Sequence, residues 1–145
     1  MSRGYMYSIA KQPDDCLALY PDMMYESNYL SALADYFEPH HFDDRPFGIL
    51  VEDNEEWIGV DISKQYLQDR FQPRLQKVKT EVAKLTNEDF LNRNIVDTIS
   101  QLLDDTCGDM IYYQDCAYTI DSFFRAYCTN EHNIFYISKH ALVLH

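Results

Sequence analysis

The sequence predicts a single α+β domain spanning residues 1–145. It is expected to be mostly helical, with a small, mostly antiparallel sheet formed by the N-terminal strand, a central hairpin and the C-terminal strand. Three observations predict this. Apolar residues recur at helical spacing in several long stretches. Strict alternation is confined to the two ends of the chain. Two short apolar runs near the middle flank an acidic turn. At 145 residues with 46% hydrophobic side chains the chain builds a core without disulfides or metal.

Tyr5, Tyr7 and Ile9 alternate with Met6, Ser8 and Ala10, the period of a strand. Pro13-Asp-Asp reads as a turn or helix start. Leu30, Leu33, Ala34 and Phe37 lie on one helical face, capped by Ser27 or Asn28 and stopped by Pro39. The stretch from Glu38 to Pro46 reads as irregular. Phe47–Val51 and Trp57–Ile62 form the hairpin, with Glu52-Asp-Asn-Glu-Glu as its tip. Leu67, Phe71, Leu75, Val78, Val82 and Leu85 make the clearest helical stripe, capped by Ser63 and kinked or split by Pro73. Thr86-Asn-Glu-Asp opens a further helix as a capping box. Ile95, Ile99, Leu102 and Leu103 are its stripe and Gly108 its C′ residue. Ile120, Phe123, Phe124, Tyr127 and Cys128 form a last helical face, and Asn133–Lys139 the final strand.

Charge is the outlier. With 24 acids against 12 bases the net charge is −12. This argues against a whole-protein footprint for DNA, RNA or anionic lipid, because each phosphate needs a cation. Residues 1–63 carry 13 acids and 3 bases, residues 64–93 carry 4 and 7, and residues 94–145 carry 7 and 2. The densest stretch runs from Glu38 to Asp61 and includes His40, His41, Phe42, Phe47 and Trp57. Aromatics among charges are typical of binding hot spots. The candidate partner-binding residues are therefore Asp43, Asp44, Glu52, Asp53, Glu55, Glu56 and Trp57, with Trp57 as apolar anchor. The acidic face around Asp104, Asp105 and Asp109 is the alternative location. The twelve tyrosines supply stiff contact area, although Tyr112, Tyr113, Tyr118 and Tyr127 fit core and interface equally.

Chemistry-bearing motifs are sparse. His40, His41, Asp43 and Asp44 are the set most like a metal or acid–base site. Adjacent histidines diverge on regular structure, so a surface loop is the reading taken and no cofactor is assigned. Cys16, Cys107, Cys116 and Cys128 have no metal-ligand spacing and read as buried free thiols. The four glycines are isolated, which removes P-loop and Rossmann phosphate cradles. Arg70, Arg74, Lys77 and Lys84 read as a helix flank facing the protein's own acids. The N-terminus carries no signal-like apolar segment, and the longest apolar run, Ala141–Leu144, falls far short of a membrane span. A cytoplasmic, non-membrane protein is expected.

The opening Arg3-Gly-Tyr-Met-Tyr-Ser resembles the R-x-Y-[LM]-Y start of small bacterial proteins from polymorphic-toxin and immunity loci, and Ile134-Phe-Tyr-Ile-Ser is similar to the way such chains close. The resemblance implies a non-enzymatic immunity protein that neutralises a cognate, basic toxin domain and does not bind nucleic acid directly. Two alternatives use other logic. A phage or plasmid counter-defence protein that mimics nucleic acid would use the same negative charge. A metal-dependent enzyme would be centred on the His40/His41/Asp43/Asp44 loop. Oligomeric state is not encoded in these features.

Overall fold

The computed structural model describes residues 3–91 and 108–145. Eight strands join in one sheet. They are β1 (Gly4–Ala10), β2 (Phe37–His41), β3 (Ile49–Asp53), β4 (Trp57–Asp61), β5 (Met110–Tyr113), β6 (Cys116–Thr119), β7 (Ile134–Ser138) and β8 (His140–Leu144). The described helices are α1 (Pro21–Tyr25), α2 (Asn28–Ser31), α3 (Lys64–Ala83), α4 (Asn87–Leu91) and α5 (Ile120–Tyr127), with a 3-10 turn at Pro13–Asp15.

This corrects the expectation of a mostly helical domain with a small sheet. The predicted strands exist, but the sheet also contains β2, β5, β6 and β8. The expected helix through Phe37 is replaced by two short helices, and Phe37 itself begins β2. Pro39 lies inside that strand, at a sheet edge where a missing N–H is tolerated.

The centre of the sheet is an antiparallel ribbon. Ile9 pairs with Ile137 and Ala10 with Tyr136, while Gly4 pairs with Leu144 and Met6 with Leu142. β7 and β8 thus follow β1 as two parts of one run, offset around Lys139. β4 flanks β7 and β2 flanks β8, both antiparallel. β3 lies outside β4. On the other side β5 pairs with β1 in parallel, and β6 closes a hairpin with β5.

Both faces of the sheet are covered. On one face Tyr7, Ile9, Ile58, Val60, Ile111, Phe135 and Ile137 pack with Phe123 and Phe124 of α5. On the other, Met6, Tyr112, Leu142 and Leu144 pack with Met24 of α1 and Leu30 of α2. Burial on both sides explains why Met6–Ala10 is one continuous buried run. It also answers the tyrosine question. Tyr112 and Tyr113 are core residues, and Tyr118 and Tyr127 pack against the core with their hydroxyls 3.2 Å apart.

The capping predictions hold at Ser27 and Ser63, whose hydroxyls accept from the Leu30 and Tyr66 amides, and Thr119 caps α5 in the same way through the Ser122 amide. Thr86 and Asp89 close a reciprocal capping box: the Asp89 amide donates to Thr86 Oγ1 and the Thr86 amide to Asp89 Oδ2. These bonds hold the Asp89 carboxyl below its usual range. α3 runs unbroken through Pro73, so of the expected kink or split the split does not occur. Of its stripe, Leu67 and Phe71 pack on the core beside Tyr66, and none of α3 is fully buried. The stripe Ile95, Ile99, Leu102 and Leu103 lies outside the described residues. Gly108 has a φ of +78°, and a Cβ there would sit 2.2 Å from the Arg3 carbonyl oxygen. Glycine is required there for the chain to pass β1.

Candidate functional site

The acidic candidates gather around β3 and the loop before it. Two aromatic side chains hold that loop down. The Phe42 ring meets Tyr7 edge-on at 5.3 Å, and buried Phe47 packs edge-on against Tyr7 and Phe124 at 6.0 and 5.5 Å. Both were expected among the exposed hot-spot aromatics, and both turn inward instead, because the apolar face of β1 is adjacent. Asp43, Asp44 and Arg45 are left at the surface between these anchors. Arg45 Nε donates to the Gly48 carbonyl at 2.8 Å, which rigidifies the turn into β3.

Glu52 and Asp53 belong to β3 rather than to the hairpin tip, which is shortened to Asn54, Glu55 and Glu56. Asn54 organises that tip: its Oδ1 accepts from the Glu56 and Trp57 amides, each at 2.9 Å. Register divides the acids between two faces. Asp53 is opposite Ile58, and Glu52 is opposite Gly59. Asp43, Asp44, Asp53, Leu50 and Ile58, with Arg45, line one cavity of about 300 Å³. Glu56 and Trp57 line another, of about 460 Å³, with Asp14, Cys16, Tyr20 and His140. The cavities share no residue, so Trp57 does not stand inside a ring of the predicted carboxylates. It is half-buried, edge-on to Tyr136 at 5.0 Å.

The cations nearby are occupied. Buried Lys139 reaches Asp53 at 2.8 Å, and its own amide donates to the Glu56 carbonyl. Asp43 and Asp44 share their cavity with Arg45, while Glu52, Glu55 and Glu56 face solvent without an ion pair among the described residues.

The histidine loop is a strand. His40 packs on Tyr5 at 4.9 Å and His41 on His140 at 5.2 Å, with Asp43 3.7 Å from His41 Nδ1. Among the described residues no group of three His, Cys, Asp or Glu is placed to hold a metal ion. Cys16 is half-buried and Cys128 buried, and burial pushes their thiols up to about 11 and about 12. Such thiols are poor nucleophiles at neutral pH. Cys116 is exposed, contrary to expectation, because it opens β6 next to the turn. Cys107, Asp104 and Asp105 lie outside the described residues, while Asp109 accepts the Tyr5 amide at 2.9 Å. Arg74 pairs with buried Asp121, in line with a basic flank that faces the protein's own acids.

Sequence reasoning missed one feature. Ile49, Leu50 and Val51 are 48%, 46% and 57% exposed. An apolar run signals a strand but not its place in a sheet, and here the strand is outermost. Tyr20, Tyr25, Tyr29 and Tyr36 are exposed on the opposite covering layer. Three of these have work to do: Tyr25 Oη accepts the Phe37 amide, Tyr29 Oη donates to the Ala117 carbonyl, and Tyr36 stacks on His145.

Among the described residues no helix is long and apolar enough to cross a membrane. Comparison with family models, curated proteins and solved structures finds no match for the chain.

Proposed function

We propose that this chain is a non-enzymatic, immunity-type inhibitor that acts in the cytoplasm by covering a cognate basic toxin domain. The observation that carries the reading is the set of exposed carboxylates at Asp43, Asp44, Glu52, Glu55 and Glu56, displayed on the loop and hairpin beside the Lys139-paired Asp53. Their placement favours this over nucleic-acid mimicry, which calls for carboxylates in a long even row along helices. The Arg3-Gly-Tyr-Met-Tyr-Ser resemblance supports it independently. Charge of this kind steers encounter, raising association toward ~10⁸ M⁻¹s⁻¹ at low salt.

The test begins with the gene next door. A secreted protein with a variable, basic C-terminal domain is expected there, and that domain should be neutralised by co-expression of this chain. Reversing Glu52, Asp53, Glu55 and Glu56 to Lys should slow association and flatten its salt dependence with the fold intact. Unchanged kinetics and full protection by the reversed variant would overturn this surface as the docking site.

A further inference from the structure

We infer that β3 is an open docking edge, onto which an extended basic segment of the partner adds as a further strand. This rests on the reading of the chain as a binder of a basic protein, and it specifies how that binding is made. β3 terminates the sheet, and its backbone hydrogen bonds among the described residues go to β4 alone. The outward-facing amides and carbonyls are left to solvent. All five residues are exposed, including three consecutive large apolar ones.

Folded proteins normally blunt such an edge with proline, lysine or a covering segment. β2, another edge, carries Pro39 in its middle. β3 has neither proline nor lysine. Its one irregularity is a bulge at Val51, between the Leu50–Val60 and Glu52–Gly59 pairs. A bulge shortens the run available for pairing and does not cover it.

Charge selects the occupant. A second copy of this chain would bring two edges that each carry Glu52 and Asp53 together, between two molecules of net charge −12. Like charges across a strand pair are destabilising. A segment alternating Lys or Arg with apolar residues meets the opposite situation. Its apolar side chains lie on the face that carries Ile49, and its cations lie on the other face, toward Asp43 and Asp44. A long cationic side chain fits the cavity beside the strand, with its stem along Leu50 and its head toward Asp43 and Asp44. Main-chain hydrogen bonds then supply affinity and the side chains supply selectivity.

Amide exchange of the full chain, followed by NMR, tests the inference with a defined probe. The probe is acetyl-Lys-Val-Lys-Ile-Lys-Val-Lys-amide at millimolar concentration. Its controls are the same peptide with Glu for Lys and a copy N-methylated at alternate amides. The basic peptide should slow exchange of the solvent-facing amides within Ile49–Asp53 by about tenfold or more. Neither control should do so. Leu50→Lys with Val51→Lys, both at exposed positions, should abolish the protection without moving signals from the core. Absence of protection, or equal protection by the N-methylated peptide, would overturn strand addition. Concentration-dependent protection without peptide, with a dimer in sedimentation, would assign the edge to a second copy and overturn it as well. The inhibitor reading is judged separately: a salt-dependent association slowed by the charge reversal leaves it standing when β3 stays unprotected.

Discussion

Asp121 places a carboxylate in the first turn of α5 with no exposed side-chain surface, held by the Arg74 guanidinium of α3. Arg74 also lies over the Phe71 ring, and Arg70 over Phe124. The basic stripe of α3 is thereby turned to internal use. Removing one member of a buried pair typically costs about 3–5 kcal/mol, because the other is left charged and poorly solvated. Arg74 retains some exposure and can rehydrate in part, so Asp121→Ala should lose about 3 kcal/mol. A lowered urea midpoint with unchanged slope is the expected result. Replacing the pair together, Asp121→Leu with Arg74→Met, should recover most of the loss. A second residue-scale effect sits on the opposite end of β4. His132 Nδ1 is 2.7 Å from Asp61 Oδ2, and this hydrogen bond and the Asp61 charge raise the imidazole above its usual 6.5. The folded chain therefore binds a proton more tightly there than the unfolded chain. The stabilisation is complete below pH 6.5 and is lost as pH rises through the folded-state value. An NMR titration should place His132 above an unfolded reference, and Asp61→Asn should bring it back. Asp61 Oδ1 also accepts the Asn133 amide at 2.9 Å, so the variant is expected to loosen the entry to β7 as well.

The β5–β6 hairpin shows at element scale why part of the fold was hidden from the sequence. Its two-residue turn, Gln114–Asp115, has φ values of +49° and +66° at both positions. That is the primed geometry that suits hairpin twist, and it is normally marked by Asn-Gly or Asp-Gly. Gln-Asp carries no such mark. The Tyr112 hydroxyl, which donates to Asp115 Oδ1 at 3.0 Å, supplies a side-chain lock within the hairpin in its place. Gln114→Asn keeps that lock and puts a residue tolerant of positive φ at the first position. It should raise stability by about 0.5 kcal/mol, read as a small rise in melting temperature. β8 was missed for another reason. Ala141 packs on one side of the sheet and Leu142 and Leu144 on the other, so burial on both sides erases the alternation that marks a strand. β1, the 47–62 hairpin, α3 and α5 were legible because a cap, a clean period or a polar face marks each. Of the candidate site, the sequence displayed the charges but not the register. Only pairing puts Asp53 on the Ile58 side and Glu52 on the Gly59 side, and only tertiary contact turns Phe42 and Phe47 inward.

At the scale of the whole molecule, the sheet separates two kinds of surface. One end of it, at β3 and the preceding loop, is acidic, apolar at its edge and uncovered by any other described strand. Its two broad faces are closed, by α5 and the start of α3 on one side and by α1 and α2 on the other. The strand addition proposed for that edge would leave both cores untouched. The central ribbon carries a further consequence, for how the chain acquires this shape. β1 owes its antiparallel partners to residues 136–144, and its parallel partner to residues 110–112. Every neighbour of the innermost strand is thus remote in the chain. Contacts of that kind are paid for in loop-closure entropy before they return any energy, and they slow folding. Until residues 110–112 and the 134–144 run dock, Met6–Ala10 is an apolar strand with two bare edges, more hazardous than β3 ever is in the finished molecule. During synthesis residues 6–10 are made well before residues 110–112 and 134–144, so a chaperone that shields Met6–Ala10 would govern the yield of folded protein.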